Sequence, residues 1–172
     1  PAPPAEGTGT NVAAVEYLDA NSVALLGDVV FARAALSRPP GGSTLLLAQI
    51  ELGAQPDAGL AMLQDLLDAA GVRSDPVLAP PGDDRGATRL LEIRESVPAA
   101  VNALVAAAKA AVHPDIQKTA GDLIVPFERL GESLALYRDA LERRGLDYAI
   151  WGHASDGNLH PNVIPKSLDD VE

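Results

Sequence analysis

Short extended runs alternate with helical apolar stripes along almost the whole chain, and this alternation constrains the fold most. Residues 13–18 read as a strand in which Tyr17 is prominent, and Asn21 or Ser22 caps a helix reaching about Leu36. That helix carries Val23, Leu26, Val30 and Ala34 on one face and is ended by Pro39-Pro40-Gly41-Gly42. Residues 44–52 form a second strand, apolar on both faces at first and therefore expected inside a sheet. Leu60, Leu63, Leu67 and Ala70 recur at helical spacing before Gly71, and Val77-Leu78-Ala79 reads as a short strand. A long helix follows from about Ala87 to Val112, with Ile93, Val97, Val101, Leu104 and Ala108 along one face. Pro98 is expected to kink or split it, since proline lacks a backbone donor and clashes with the preceding turn.

The last third repeats the pattern. Residues 122–125 read as a strand stopped by Pro126, and Leu130, Leu134, Tyr137 and Leu141 as a helix ending at Gly145. Residues 147–151 form a further strand. This order predicts an α+β fold: a ferredoxin-like antiparallel or mixed sheet with helices mainly on one face. A doubly wound parallel sheet is the alternative, disfavoured because no strand leads into a glycine-rich phosphate loop. Residues 1–12, opening Pro1-Ala2-Pro3-Pro4, read as a linker, and 13–172 as one domain, so the chain is expected to belong to something longer.

Composition excludes several function classes. A formal charge of -11, from 24 acidic and 13 basic side chains, argues against nucleic acid or anionic lipid as a partner. The absence of cysteine excludes a disulfide framework, thiolate zinc, iron–sulfur ligation and a thiol nucleophile within the chain. No apolar run reaches the length of a membrane span. The expected location is cytoplasmic, or peripheral at the inner membrane through the parent protein.

Polar functional groups concentrate in one segment, Gly152-His153-Ala154-Ser155-Asp156-Gly157-Asn158-Leu159-His160-Pro161-Asn162-Val163, directly after the only tryptophan. Asp156-Gly157 between extended flanks predicts a two-residue hairpin turn. That turn would set Ser155 against Asn158, Ala154 against Leu159 and His153 against His160. Directly opposed residues have Cβ atoms ~4.5–5.5 Å apart on one face, a spacing that suits two imidazoles on one divalent ion, with zinc–nitrogen bonds of about 2.0–2.1 Å. Two donors do not make a tight site, and a third, a carboxylate, is expected from elsewhere. The same pair also reads as two hydrogen-bonded structural histidines, and the residues alone leave both readings open. His113 reads as a helix C-terminal or surface residue. Arg94 pairs with Glu95 or solvent on sequence alone.

The segment 152–162 is similar to the signature of a known family, the C-terminal (cap, or substrate) domain of FAD-linked oxidases. That group includes D-lactate dehydrogenases, glycolate oxidase large subunits and D-2-hydroxyglutarate dehydrogenases. The family usually has glycine where this chain has Ser155. Glu16-Tyr17-Leu18-Asp19, Leu91-Glu92-Ile93-Arg94-Glu95-Ser96-Val97-Pro98 and Asp122-Leu123-Ile124-Val125-Pro126 with Arg129-Leu130 agree in order and spacing. The resemblance covers about residues 13–165.

The resemblance implies a parent FAD-dependent 2-hydroxy acid dehydrogenase, of D-lactate or glycolate type. Its flavin would sit in a separate N-terminal domain over which this domain closes. His153 and His160 match the family's catalytic metal-ligand histidines, holding a divalent ion such as zinc. Arg94, Lys118 and Asn162 match substrate-binding residues, with Asn158 toward the cofactor. A third ligand would be a glutamate beyond Glu172, and some members use an iron–sulfur electron acceptor. The isolated chain is expected to be redox-inactive, and the sequence leaves open whether it forms a homodimer over the face that the flavin domain covers. The alternatives are a non-enzymatic ferredoxin-like module binding a metal or small ligand, and an interaction domain with packed histidines.

Overall fold

The computed structural model describes residues 11–171, apart from 54 and 73–75. Residues 1–10 of the expected linker lie outside the described residues, and Asn11 and Val12 already belong to strand β1. The elements are β1 (Asn11–Leu18), α1 (Ala20–Ala24), α2 (Asp28–Arg33), β2 (Leu45–Glu51), α3 (Pro56–Ala69) and α4 (Asp84–Ala111). They continue with β3 (Thr119–Ala120), β4 (Leu123–Ile124), α5 (Leu130–Arg143), β5 (Tyr148–His153) and β6 (Asn158–Val163). The fold is α+β, and every strand pair is antiparallel. The sheet runs β2-β1-β5-β6-β3, with β4 also beside β6.

Side chains alternate between the two sheet faces and build two cores. On one face Leu18, Ala149 and Trp151 pack with Val23, Leu26 and Phe31 and with the α4 stripe Ile93, Val97, Val101 and Val105. On the other, Tyr17, Tyr148, Ile150 and Leu159 are covered by Leu130, Leu134, Tyr137 and Leu141 of α5. The expected bias of helices to one face thus holds for α1, α2 and α4, while α5 takes the opposite face.

Several local expectations need correction. The first helix breaks into α1 and α2 at Gly27, and its cap is Asp19, not Asn21 or Ser22. The Asp19 carboxylate is buried and accepts from Ser22 N at 2.7 Å and from Ile150 N at 3.1 Å, so it ties the helix start to β5. Strand β2 lies at the sheet edge rather than inside it. Its leucines are not buried on both faces, since Leu46 is 63% exposed. Residues 77–79 form no strand; flanked by Pro76 and Pro80, they find no partner among the described residues. Helix α4 continues through Pro98 without dividing, because its buried residues at 93, 97, 101 and 105 lie on the core side throughout. Val105, not Leu104, carries that stripe forward.

The far edge explains itself through one proline. Thr119 pairs with Val163 and Ala120 with Asn162, then Leu123 with Leu159 and Ile124 with Asn158, all in one register. That register sets Gly121 against Pro161 and Asp122 against His160. Pro161 O accepts from Gly121 N at 2.9 Å, so the missing proline N–H falls on this side and the edge splits into β3 and β4.

Candidate functional site

The hairpin joining β5 to β6 differs from its expected form, and the difference moves the histidines. The turn is a 3-10 segment, Ala154–Asp156, followed by Gly157 in the left-handed region at φ 71. His153 therefore pairs with Asn158, and His160 pairs with Trp151. The two-residue turn is overruled by contacts around the loop. Ser155 Oγ accepts from Val15 N at 3.2 Å, Ala154 is buried, and Gly157 O accepts from Val125 N at 3.0 Å. A Cβ on Gly157 would run into the Val125 carbonyl, so glycine is required by both conformation and space. The slip equals two residues, which preserves the face. His153 and His160 become diagonal neighbours, with ring centroids 6.0 Å apart and planes at 88°.

The remaining residues gather on this same face. Glu16 lies directly across from His153, and its Oε1 is 2.6 Å from His153 Nδ1. Its other oxygen, Oε2, accepts from Arg94 Nε at 3.1 Å. Arg94 thus pairs across the fold with Glu16 rather than with Glu95, and α4 holds it there by burying Ile93 and Val97 on either side. Asp122 Oδ1 lies 3.3 Å from His160 Nδ1. Lys118 sets its ammonium 5.3 Å from the Trp151 ring centre, within cation–π reach. Asn162 is buried and donates from Nδ2 to His160 O at 2.7 Å. The side-chain oxygens of Asn158 and Asn162 are buried without a partner among the described residues.

The six sequence-proposed residues, Arg94, Lys118, His153, Asn158, His160 and Asn162, thus lie on or against one face of the sheet, spread along β5 and β6. Sequence reasoning missed Glu16 and Asp122 as site residues. The signal for Glu16 is a charged residue sharing the inward face of a strand with the buried Leu18. Asp122 looked like an ordinary first strand residue. Gly152 lies at φ 153, and a Cβ there would strike Asn158 O across the hairpin.

An ionised carboxylate only accepts, so a neutral His153 facing Glu16 through Nδ1 would carry its proton there and keep a lone pair on Nε2. A carboxylate behind each imidazole is the arrangement that orients metal-ligating histidines. The donor chemistry thus fits a divalent ion at this pair, although among the described residues no three His, Asp or Glu side chains converge to hold one by themselves. Two depressions among the described residues lie away from the pair. One is lined by residues such as Arg33, Glu92 and Ser96, the other by residues such as Asn21, Thr44 and Arg138.

Comparison with known proteins settles the family. The sequence model for FAD linked oxidases, C-terminal domain, matches residues 3–171. The chain belongs to this family. No curated protein matches it significantly. Membership makes the parent an FAD-linked oxidoreductase. No helix among the described residues is long and apolar enough to cross a membrane.

Proposed function

We propose that this FAD-linked oxidase C-terminal domain binds a small 2-hydroxy acid, of the D-lactate or glycolate class, and presents it to the flavin of a partner N-terminal domain. The observation that carries the reading is the grouping of a guanidinium and two imidazoles on one partly open sheet face, beside two unpartnered buried amide oxygens. Arg94 would grip the substrate carboxylate through its terminal nitrogens, because Nε is taken by Glu16. Lys118, held against Trp151, would add a second cation on the same side. Asn158 and Asn162 would accept hydrogen bonds from the bound substrate or cofactor. His153 and His160 would hold a divalent ion such as zinc through Nε2, with a third donor from outside the described residues. Bound there, the ion would supply Lewis-acid polarisation of the substrate hydroxyl. FAD would supply the hydride acceptor.

The test is steady-state kinetics of Arg94→Ala and Arg94→Lys in the flavoprotein carrying this domain, with FAD occupancy checked by absorbance. Losing one charge-assisted bidentate contact costs about 1.5–3 kcal/mol, or roughly ten- to a hundred-fold in kcat/KM. Lysine recovers only part, since an ammonium lacks the planar fork. Wild-type kcat/KM in both variants at equal flavin content would sink the reading. A histidine pair that merely packs is disfavoured by exposure, because the His153 side chain is 42% accessible.

A further inference from the structure

We propose that Glu16 is the positioning residue of the site: one carboxylate fixes the His153 proton on Nδ1 and tethers Arg94 by Nε, aiming both at a common ligand. The proposal deepens the reading above and rests on it for what that ligand is. Its basis is the division of the two oxygens, Oε1 at 2.6 Å from the imidazole and Oε2 at 3.1 Å from the guanidinium. The side chain is only 14% exposed, on the face of β1 that next buries Leu18, where an apolar residue would serve packing better.

The two hydrogen bonds have one consistent proton assignment. Arginine can only donate, and a carboxylate can only accept. The imidazole must therefore donate from Nδ1, which leaves Nε2 as the sole lone pair for a metal or a proton in transit. On the other side, using Nε for Glu16 leaves the two terminal Nη groups of Arg94, the symmetric end of the fork, for a carboxylate ligand. Asp122 offers His160 only a looser and more exposed partner, its side chain being 75% accessible. Control of the proton is thus concentrated on Glu16.

Glu16→Gln separates this role from simple packing, because the side chain keeps its shape. Arg94 still donates only, so it claims the amide oxygen, and the amide NH2 is turned toward His153 Nδ1. The imidazole must then accept at Nδ1 and carry its proton on Nε2, the wrong tautomer for ligation.

The experiment is long-range proton–nitrogen NMR of the full chain with labelled histidine, at mildly alkaline pH, with Trp151 fluorescence as a check on the fold. Wild type should show His153 as the Nδ1–H tautomer, Glu16→Gln as Nε2–H, and Glu16→Ala as a mixture. His160 should be unchanged in all three. Titration with zinc alone should show about a 10–100-fold weaker affinity in Glu16→Gln. A wild-type His153 that is mainly Nε2–H, or a tautomer unmoved by Glu16→Gln, overturns the proposal. Tautomer inversion with unchanged zinc affinity upholds Glu16 as the positioning residue and overturns the metal reading instead.

Discussion

Strands β1 and β5 carry core and site on the same face, two residues apart. Leu18 and Trp151 are covered by α1, α2 and α4, while Glu16 and His153 lie one step along the same strands, with the His153 side chain 42% exposed. Backbone pairing is continuous through both regions, since Glu16 pairs with His153 and Leu18 with Trp151. The difference therefore lies in what covers the sheet. Helix α4 serves both ends, burying Ile93 and Val97 over the core and extending Arg94 between them toward Glu16. A site built this way inherits rigidity from the core without being buried by it.

The sharpest way to break this comparison is to cut both ends and measure stability. Phe31→Ala removes a ring that is 1% exposed in the α-helical core and should destabilise by about 3–5 kcal/mol in urea unfolding. His153→Ala removes a half-open side chain with one strong contact and should destabilise by less than about 1 kcal/mol. Similar losses in the two variants would mean that the hairpin end is structural, and the division between core and site would fail.

A smaller effect is expected where the two ends are joined. Asp19 caps α1 and also accepts from Ile150 N, so Asp19→Ala leaves a buried donor on β5 unpaired. The loss should be about 1–3 kcal/mol by the same unfolding measurement. Asp19→Asn, which keeps the oxygen acceptor, should recover most of it. If Asn is as damaging as Ala, the carboxylate charge and not the hydrogen bond is what joins helix to sheet.

These residues also show how far the sequence is legible. The alternation of strand and helix patterns predicted most elements, because buried faces impose their period on the chain. Period alone could not tell an edge strand from an interior one, so Leu45-Leu46-Leu47 misled. Nor could it weigh Pro98 against four buried residues that hold α4 on the sheet. In the site, the dense hairpin motif was enough to put both histidines on one face, yet its register depended on Ser155 and Gly157 meeting Val15 and Val125. Glu16 was harder to see because its partners are 137 and 78 residues away.

The smallest predicted effect lies on the opposite face and asks whether that face titrates apart from the site. Tyr148 is 9% exposed beneath α5 and donates its hydroxyl to Glu142 Oε1 at 2.7 Å. Burial first, then the hydrogen bond and charge of Glu142 and the charge of Asp19, push its pKa up to about 12, against a weaker opposing pull from Arg138. In the unfolded chain the phenol titrates near its ordinary value of about 10. Between these values the folded state keeps a proton that the unfolded state has lost, so stability falls as pH rises. The contribution is complete below about pH 10 and gone above about pH 12, a loss of up to about 3 kcal/mol. Tyr17, whose pKa burial also raises, keeps a residual slope in any variant. Tyr148→Phe should therefore cost about 1 kcal/mol at neutral pH and flatten, without abolishing, the alkaline decline in urea-unfolding free energy. Parallel curves for the variant and wild type would show that the Tyr148 hydroxyl does not report on this face. The histidine end, on the other side of the sheet, should be untouched in either case. A shift in the His153 or His160 nitrogen resonances on Tyr148→Phe would show that the two faces are coupled through β5.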